Sequence, residues 1–114
     1  MKSKFEIKES VCWIEYKEDT SFENAHLLID EINAQQKSES LTAIVLDISK
    51  IEMLNSSGIG LLVQLYKDIT EDGIRFILHI NDYVQRVLQM VGLEDKLTIV
   101  ETTEEADQFL SSQG

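Results

Sequence analysis

Two adjacent hydroxyls, Ser56 and Ser57, stand between Asn55 and Gly58 where a short apolar run gives way to a helical pattern. A hydroxyl at a helix start lies among backbone N–H groups that lack intrahelical partners, at the positive end of the helix dipole. A phosphate attached covalently to either serine would be well received there. The chemistry this suggests is acceptance of a phosphoryl group, a phosphoserine switch. The same residues also read as an ordinary cap, since Asn and Ser are favoured N-cap residues and glycine is common beside turns. Gly58 and Gly60 either admit close approach of a partner or neighbouring strand or reflect tight helix-to-sheet packing.

Other chemistries fit less well. A strand, glycines and a helix open a dinucleotide site, but Gly58-Ile59-Gly60 is followed by Leu61, Leu62 and Val63 without the third glycine, and no Gly-Lys-Ser/Thr loop is present. Asp47 after a central strand suggests a phosphoaspartate receiver. The surroundings of Val11-Cys12-Trp13, however, supply no acidic pair to hold a metal ion, so Asp47 reads as an acceptor for loop N–H groups. His26 and His79 have neither metal-ligand spacing nor a nucleophile-elbow serine and read as structural or surface residues. Cys12, the only cysteine, reads as a small buried hydrophobe and forms no intrachain disulfide. No catalytic, metal-binding or cofactor-binding residues are expected.

The elements that position the serines follow from periodicity. Phe5 and Ile7, then Val11 and Trp13, alternate with polar residues around Glu9-Ser10, which predicts an antiparallel strand pair joined by a tight turn. Phe22, Ala25, Leu28, Ile29 and Ile32 recur at helical spacing behind a Thr20/Glu23 capping box, and that helix ends in the polar run 35–40. Ala43-Ile44-Val45-Leu46 predicts a central strand covered on both faces. The second helix presents Ile59, Leu62, Val63, Tyr66 and Ile69 and stops near Gly73. A strand over 75–80 follows, then a helix capped by Asn81 or Asp82 with Val84, Val87, Leu88 and Val91 inward and Gly92 as its stop. A last strand over 97–100 precedes a Thr102/Glu105 capping box and a helix with Ala106, Phe109 and Leu110. Trp13, Met53 and Met90 are further core candidates, with Met53-Leu54 also placed to meet a partner.

The order β-β-α-β-α-β-α-β-α predicts an α/β domain with a mostly parallel sheet and one antiparallel edge pair. In such sheets binding sites gather beyond the carboxyl ends of the strands. The connections 16–21, 49–57 and 80–82 should share that edge, with Glu18, Asp19, Glu23 and Asp82 as an acidic lip around Asn55-Ser56-Ser57-Gly58.

With 114 residues, 43% hydrophobic content and no proline, the chain fits a single domain over 1–114. The count of 10 Lys+Arg against 21 Asp+Glu, a net charge of -11, argues against nucleic acid and anionic lipid as partners. It favours a basic protein patch, or solubility alone. The start Met1-Lys2-Ser3-Lys4-Phe5-Glu6 leads into no apolar signal region, and no run approaches the ~18 apolar residues of a membrane helix. A cytoplasmic protein with no membrane insertion is expected.

The span 44–60, read as Ile-Val-Leu-Asp-Ile-Ser and then Met-Leu-Asn-Ser-Ser-Gly-Ile-Gly, resembles the signature of STAS domains, specifically the bacterial anti-sigma factor antagonists. The similarity extends in pattern over nearly the whole chain, including Thr-Thr-Glu-Glu-Ala at 102–106. The resemblance implies a single STAS-like domain with about five strands and about four helices. It implies a non-enzymatic switch: unphosphorylated, the antagonist binds a kinase-type anti-sigma factor and frees its sigma factor; phosphorylated by that kinase, it is inactive until a phosphoserine phosphatase resets it. The family's acceptor maps onto Ser56, with Ser57 as second choice. The partner surface is expected over Met53, Leu54, Asn55, Ser56, Ser57, Gly58 and Gly60, with Glu18, Asp19, Ser21, Asn24 and Asp82 around it. Two departures stand out. Asn55 replaces the usual aspartate, and Glu18 and Ser21 stand where the family often has glycine and aspartate. Two other classes remain open. One is a constitutive STAS scaffold in a signalling or lipid-transport complex, with the serines only a cap; the other is a flavodoxin-like small-molecule domain, for which no catalytic constellation is present.

Overall fold

Strand-forming residues dominate the first sixteen positions, and the computed structural model shows them as a hairpin, β1 (Ser3–Lys8) and β2 (Val11–Tyr16). The structure describes residues 3–16, 25–38 and 40–113. Glu9 and Ser10 form the turn with φ of 50° and 68°. A two-residue turn with positive φ at both positions matches the strand twist, and here two non-glycine residues bear that strained conformation. The turn is held by the Thr42 N–H, which donates to the Ser10 carbonyl at 2.8 Å.

The remaining elements are α1 (Ala25–Ser38), β3 (Ala43–Asp47), α2 (Ser56–Glu71), β4 (Arg75–His79), α3 (Asp82–Met90), β5 (Thr98–Val100) and α4 (Thr103–Gln113). This is the order expected from the sequence. The expected Thr20/Glu23 box and Phe22 lie outside the described residues. The five strands form one sheet in the order β1-β2-β3-β4-β5, antiparallel between β1 and β2 and parallel elsewhere.

Helices cover the two faces unequally. On one face α1 (Leu28, Ile32), α2 (Leu62, Leu65, Ile69) and α3 (Val84, Leu88) pack on Cys12, Ile14, Tyr16, Ile44, Leu46, Phe76 and Leu78. On the other, α4 packs Ala106 on Val45, Ile77 and Val100. Residues 43–46 of β3 are buried on both faces, as their continuous apolar run required. Each fully buried leucine or isoleucine contributes roughly 1.5–3 kcal/mol of hydrophobic stabilisation.

Both α2 and α3 end by the same device. Gly73 and Gly92 have φ of 78° and 75°. The following Ile74 and Leu93 donate back to Ile69 and Leu88, closing the last carbonyls.

Several inward-facing expectations change. In β2 the buried set is Cys12, Ile14 and Tyr16, while Val11 and Trp13 lie half-buried on the α4 face; the strand is apolar on both sides, so alternation alone could not tell which packed more deeply. In α2 the deepest line is Gly58, Leu62, Leu65 and Ile69, with Val63 rotated off it. Val91 is 48% exposed because it is the C-cap, where the chain turns away at Gly92, and Met90 beside it is 85% exposed. Neither belongs to the core, nor does Met53, 62% exposed on its loop.

Candidate functional site

Sheet register defines the edge that carries the serines. Glu15, Asp47, His79 and Val100 form one row across β2, β3, β4 and β5, at or next to the strands' carboxyl ends. The 48–55 connection leaves this row. Asp47 begins it, its Oδ1 accepting from the Ser49 N–H at 2.9 Å, the loop role its sequence position suggested. His79 stands beside it with Nδ1 3.4 Å from Asp47 Oδ1 and Nε2 3.1 Å from the Glu101 carbonyl, so the imidazole bridges β3 and the β5–α4 corner.

Three buried side chains, Ile48, Ile51 and Leu54, pin the connection to the core. Its polar groups are held from α3. Asn81 Nδ2 donates to the carbonyls of both Ser49 and Ile51 at 2.9 Å, while Asn81 Oδ1 accepts from the Val84 N–H at 2.8 Å and caps α3. Asn81, not Asp82, is therefore the cap. Two residues after this cap, the Tyr83 hydroxyl accepts from the Leu54 N–H at 3.1 Å.

The connection ends at Asn55, which adopts extended backbone (φ -92°, ψ -179°) and caps α2, Oδ1 accepting from the Gly58 N–H at 2.9 Å. Ser56 and Ser57 are the first two helical residues, both exposed. The first turn of α2 carries no acidic side chain, whereas α3 has Asp82 and α4 has Glu104 and Glu105 in theirs. The positive end of the α2 dipole is thus left without a resident counter-charge in its own first turn.

The structure brings Met53, Asn55, Ser56, Ser57 and Gly60 to the surface of this segment, and places Asp82, exposed, at the start of α3. Leu54 and Gly58 are buried and act from within, as anchor and packing site. Gly60 is exposed, and among the described residues it serves no close approach. Glu18, Asp19, Ser21, Glu23 and Asn24 lie outside the described residues. Sequence reasoning missed the loop-holding roles of Asn81 and Tyr83. The first was visible only as a cap, and nothing in the spacing marked the second.

Elsewhere, burial pushes the Cys12 thiol up to about 11, which keeps it neutral, in line with a small apolar core residue. A hollow of about 1020 Å³ opens between α4 and β1–β2, lined by Trp13, Val45, Arg75 and His79 among others; the serines do not line it. Among the described residues no group of three or more His, Cys, Asp or Glu side chains is placed to hold a metal ion, and no helix is long and apolar enough to cross a membrane.

This architecture, a five-stranded mixed sheet with a capped serine pair at the start of its second helix, is that of a small α/β domain. The chain belongs to the STAS domain family, which matches residues 2–106. A Thermotoga maritima protein named "Putative anti-sigma factor antagonist" is 28% identical over 103 residues, covering 90% of this chain and 91% of the relative. Two solved structures share the fold. The anti-sigma factor antagonist SpoIIAA in its unphosphorylated form has a TM-score of 0.76 at 19% identity, covering 97% of each chain. The Bacillus cell fate determinant SpoIIAA in the phosphorylated form has a TM-score of 0.70 at 19% identity, covering 96% of this chain and 99% of that one.

Proposed function

We propose that this protein is an anti-sigma factor antagonist controlled by phosphorylation of Ser56: a binding switch and not an enzyme. The observation that carries the reading is Ser56 itself, an exposed hydroxyl in the first turn of α2, a turn that carries no acidic side chain, at the end of a connection held by its buried side chains and by Asn81. A phosphate there adds roughly -1.5 to -2 charge. It gains about 0.3–1 kcal/mol from the helix terminus while altering the surface that a partner must cover. The relatives support this reading, since one carries the antagonist name and SpoIIAA has been solved in both phosphorylation states. The partner is then an anti-sigma factor of the kinase type, with a phosphoserine phosphatase resetting the switch.

One observation favours a second reading. Asn55 caps α2 through its own side chain, with no serine hydroxyl taking part in that bond, so the segment is structurally complete as the cap of a constitutive STAS scaffold. Incubation with ATP and each histidine-kinase-like anti-sigma factor of its own genome, followed by mass spectrometry, separates the two. The switch requires one phosphate on Ser56 that is absent in Ser56→Ala. Absence of both binding and modification by every such kinase supports the scaffold.

A further inference from the structure

Four large apolar side chains are well exposed among the described residues, and they fall at the two ends of α3: Met90 and Val91 at its C-terminus, Tyr83 and Met53 at its start. The second pair belongs to the serine edge. Tyr83 is 37% exposed, and its phenol oxygen lies 3.1 Å from the Leu54 nitrogen, against the peptide that joins Met53 to Leu54. The first turn of α3 and the loop before Ser56 therefore form one continuous surface. Charge around it is mixed: Glu52 and Asp82 are exposed, and so are Lys50 earlier in the connection and Arg86 one turn into α3.

We infer that Tyr83 is a specificity-determining contact for the partner that modifies Ser56, its hydroxyl holding the loop while its ring, with Met53, receives an apolar side chain of that partner. This rests on the reading of Ser56 as the switch residue and adds where its partner is gripped. Tyrosine suits the role, since it offers a large apolar face at low conformational cost and keeps one polar end satisfied.

The test compares wild type, Tyr83→Phe and Tyr83→Ala in three measurements: thermal stability, amide exchange at Leu54, and kcat and KM for Ser56 phosphorylation by the kinase that modifies wild type. Loss of the hydroxyl in either variant should speed Leu54 exchange by about tenfold, the loss of one hydrogen bond. Tyr83→Phe keeps the ring and should raise KM no more than about threefold, whereas Tyr83→Ala should raise it about tenfold or more with kcat little changed. Equal KM values for the two variants would make Tyr83 a brace only and overturn the proposal while leaving Ser56 as the switch. A wild-type protein that no kinase of its genome modifies overturns both.

Discussion

Asn81 does three jobs with one amide. Its oxygen caps α3, and its nitrogen closes two carbonyls, those of Ser49 and Ile51, in the connection that leads to Ser56. Asparagine is needed because the site requires an acceptor and a double donor in one short side chain. Asn81→Asp keeps the capping oxygen but turns the donor end into a second acceptor facing two carbonyls. The expected cost is about 2–3 kcal/mol, in the range for part-buried acceptors left without donors. It should appear as a lower denaturation midpoint at unchanged slope. Asn55→Ala removes the α2 cap and should cost about 1 kcal/mol or more. If Asn81→Asp leaves the midpoint unchanged, the two loop bonds contribute nothing.

At the scale of elements, α2 carries the site on one end and the core on one face. Gly60 lies four residues after Ser56, on the same side of the helix, and a Cβ built on it meets nothing within 4 Å among the described residues. Glycine inside a helix costs roughly 0.5–1 kcal/mol relative to alanine, so Gly60→Ala should stabilise the isolated protein by that amount. A partner whose backbone comes close to this face would bind Gly60→Ala more weakly despite the gain in stability. Unchanged affinity together with higher stability would remove Gly60 from the partner surface. The order of elements and both glycine stops were legible in the sequence, because apolar periodicity and terminal glycines report local constraints. The depth of each face was not. Val63 and Leu65 are equally apolar, and only packing against the sheet selects Leu65. Likewise Met90 and Val91 continue an apolar pattern beyond the point where Gly92 redirects the chain. Of the candidate site, the capped serines could be read locally. The hydrogen bonds from Asn81 and Tyr83 span about thirty residues and depend on where the sheet brings α3.

For the whole molecule, the two faces of the sheet differ in how firmly they are closed. Three helices pack over the main core, whereas α4 alone packs on the other face and leaves the hollow beside Trp13 open. The contact that ties α4 to the sheet is Arg75 at the start of β4. Its guanidinium donates to the Phe109 carbonyl at 3.1 Å and stands 4.9 Å from the centre of the Phe109 ring. The planar group does both at once, so lysine is a poor substitute. Arg75→Ala should cost about 1–2 kcal/mol from the lost hydrogen bond and cation–π contact. That loss should fall on α4 first, because a helix held by a small buried cluster opens separately from the main core. Amide exchange should therefore accelerate at Ala106, Phe109 and Leu110 well before it does at Leu62, Leu65 and Leu88, and Arg75→Lys should recover only part of the protection. Equal acceleration at all six positions would mean that the two faces open together. In that case a disturbance at α4 would reach the Ser56 edge, through the Asp47–His79 contact that joins β3 to β4 and through the general loosening of the sheet. If α4 opens alone, the serine edge keeps its geometry while the second face is exposed, and the two sides of the domain act independently.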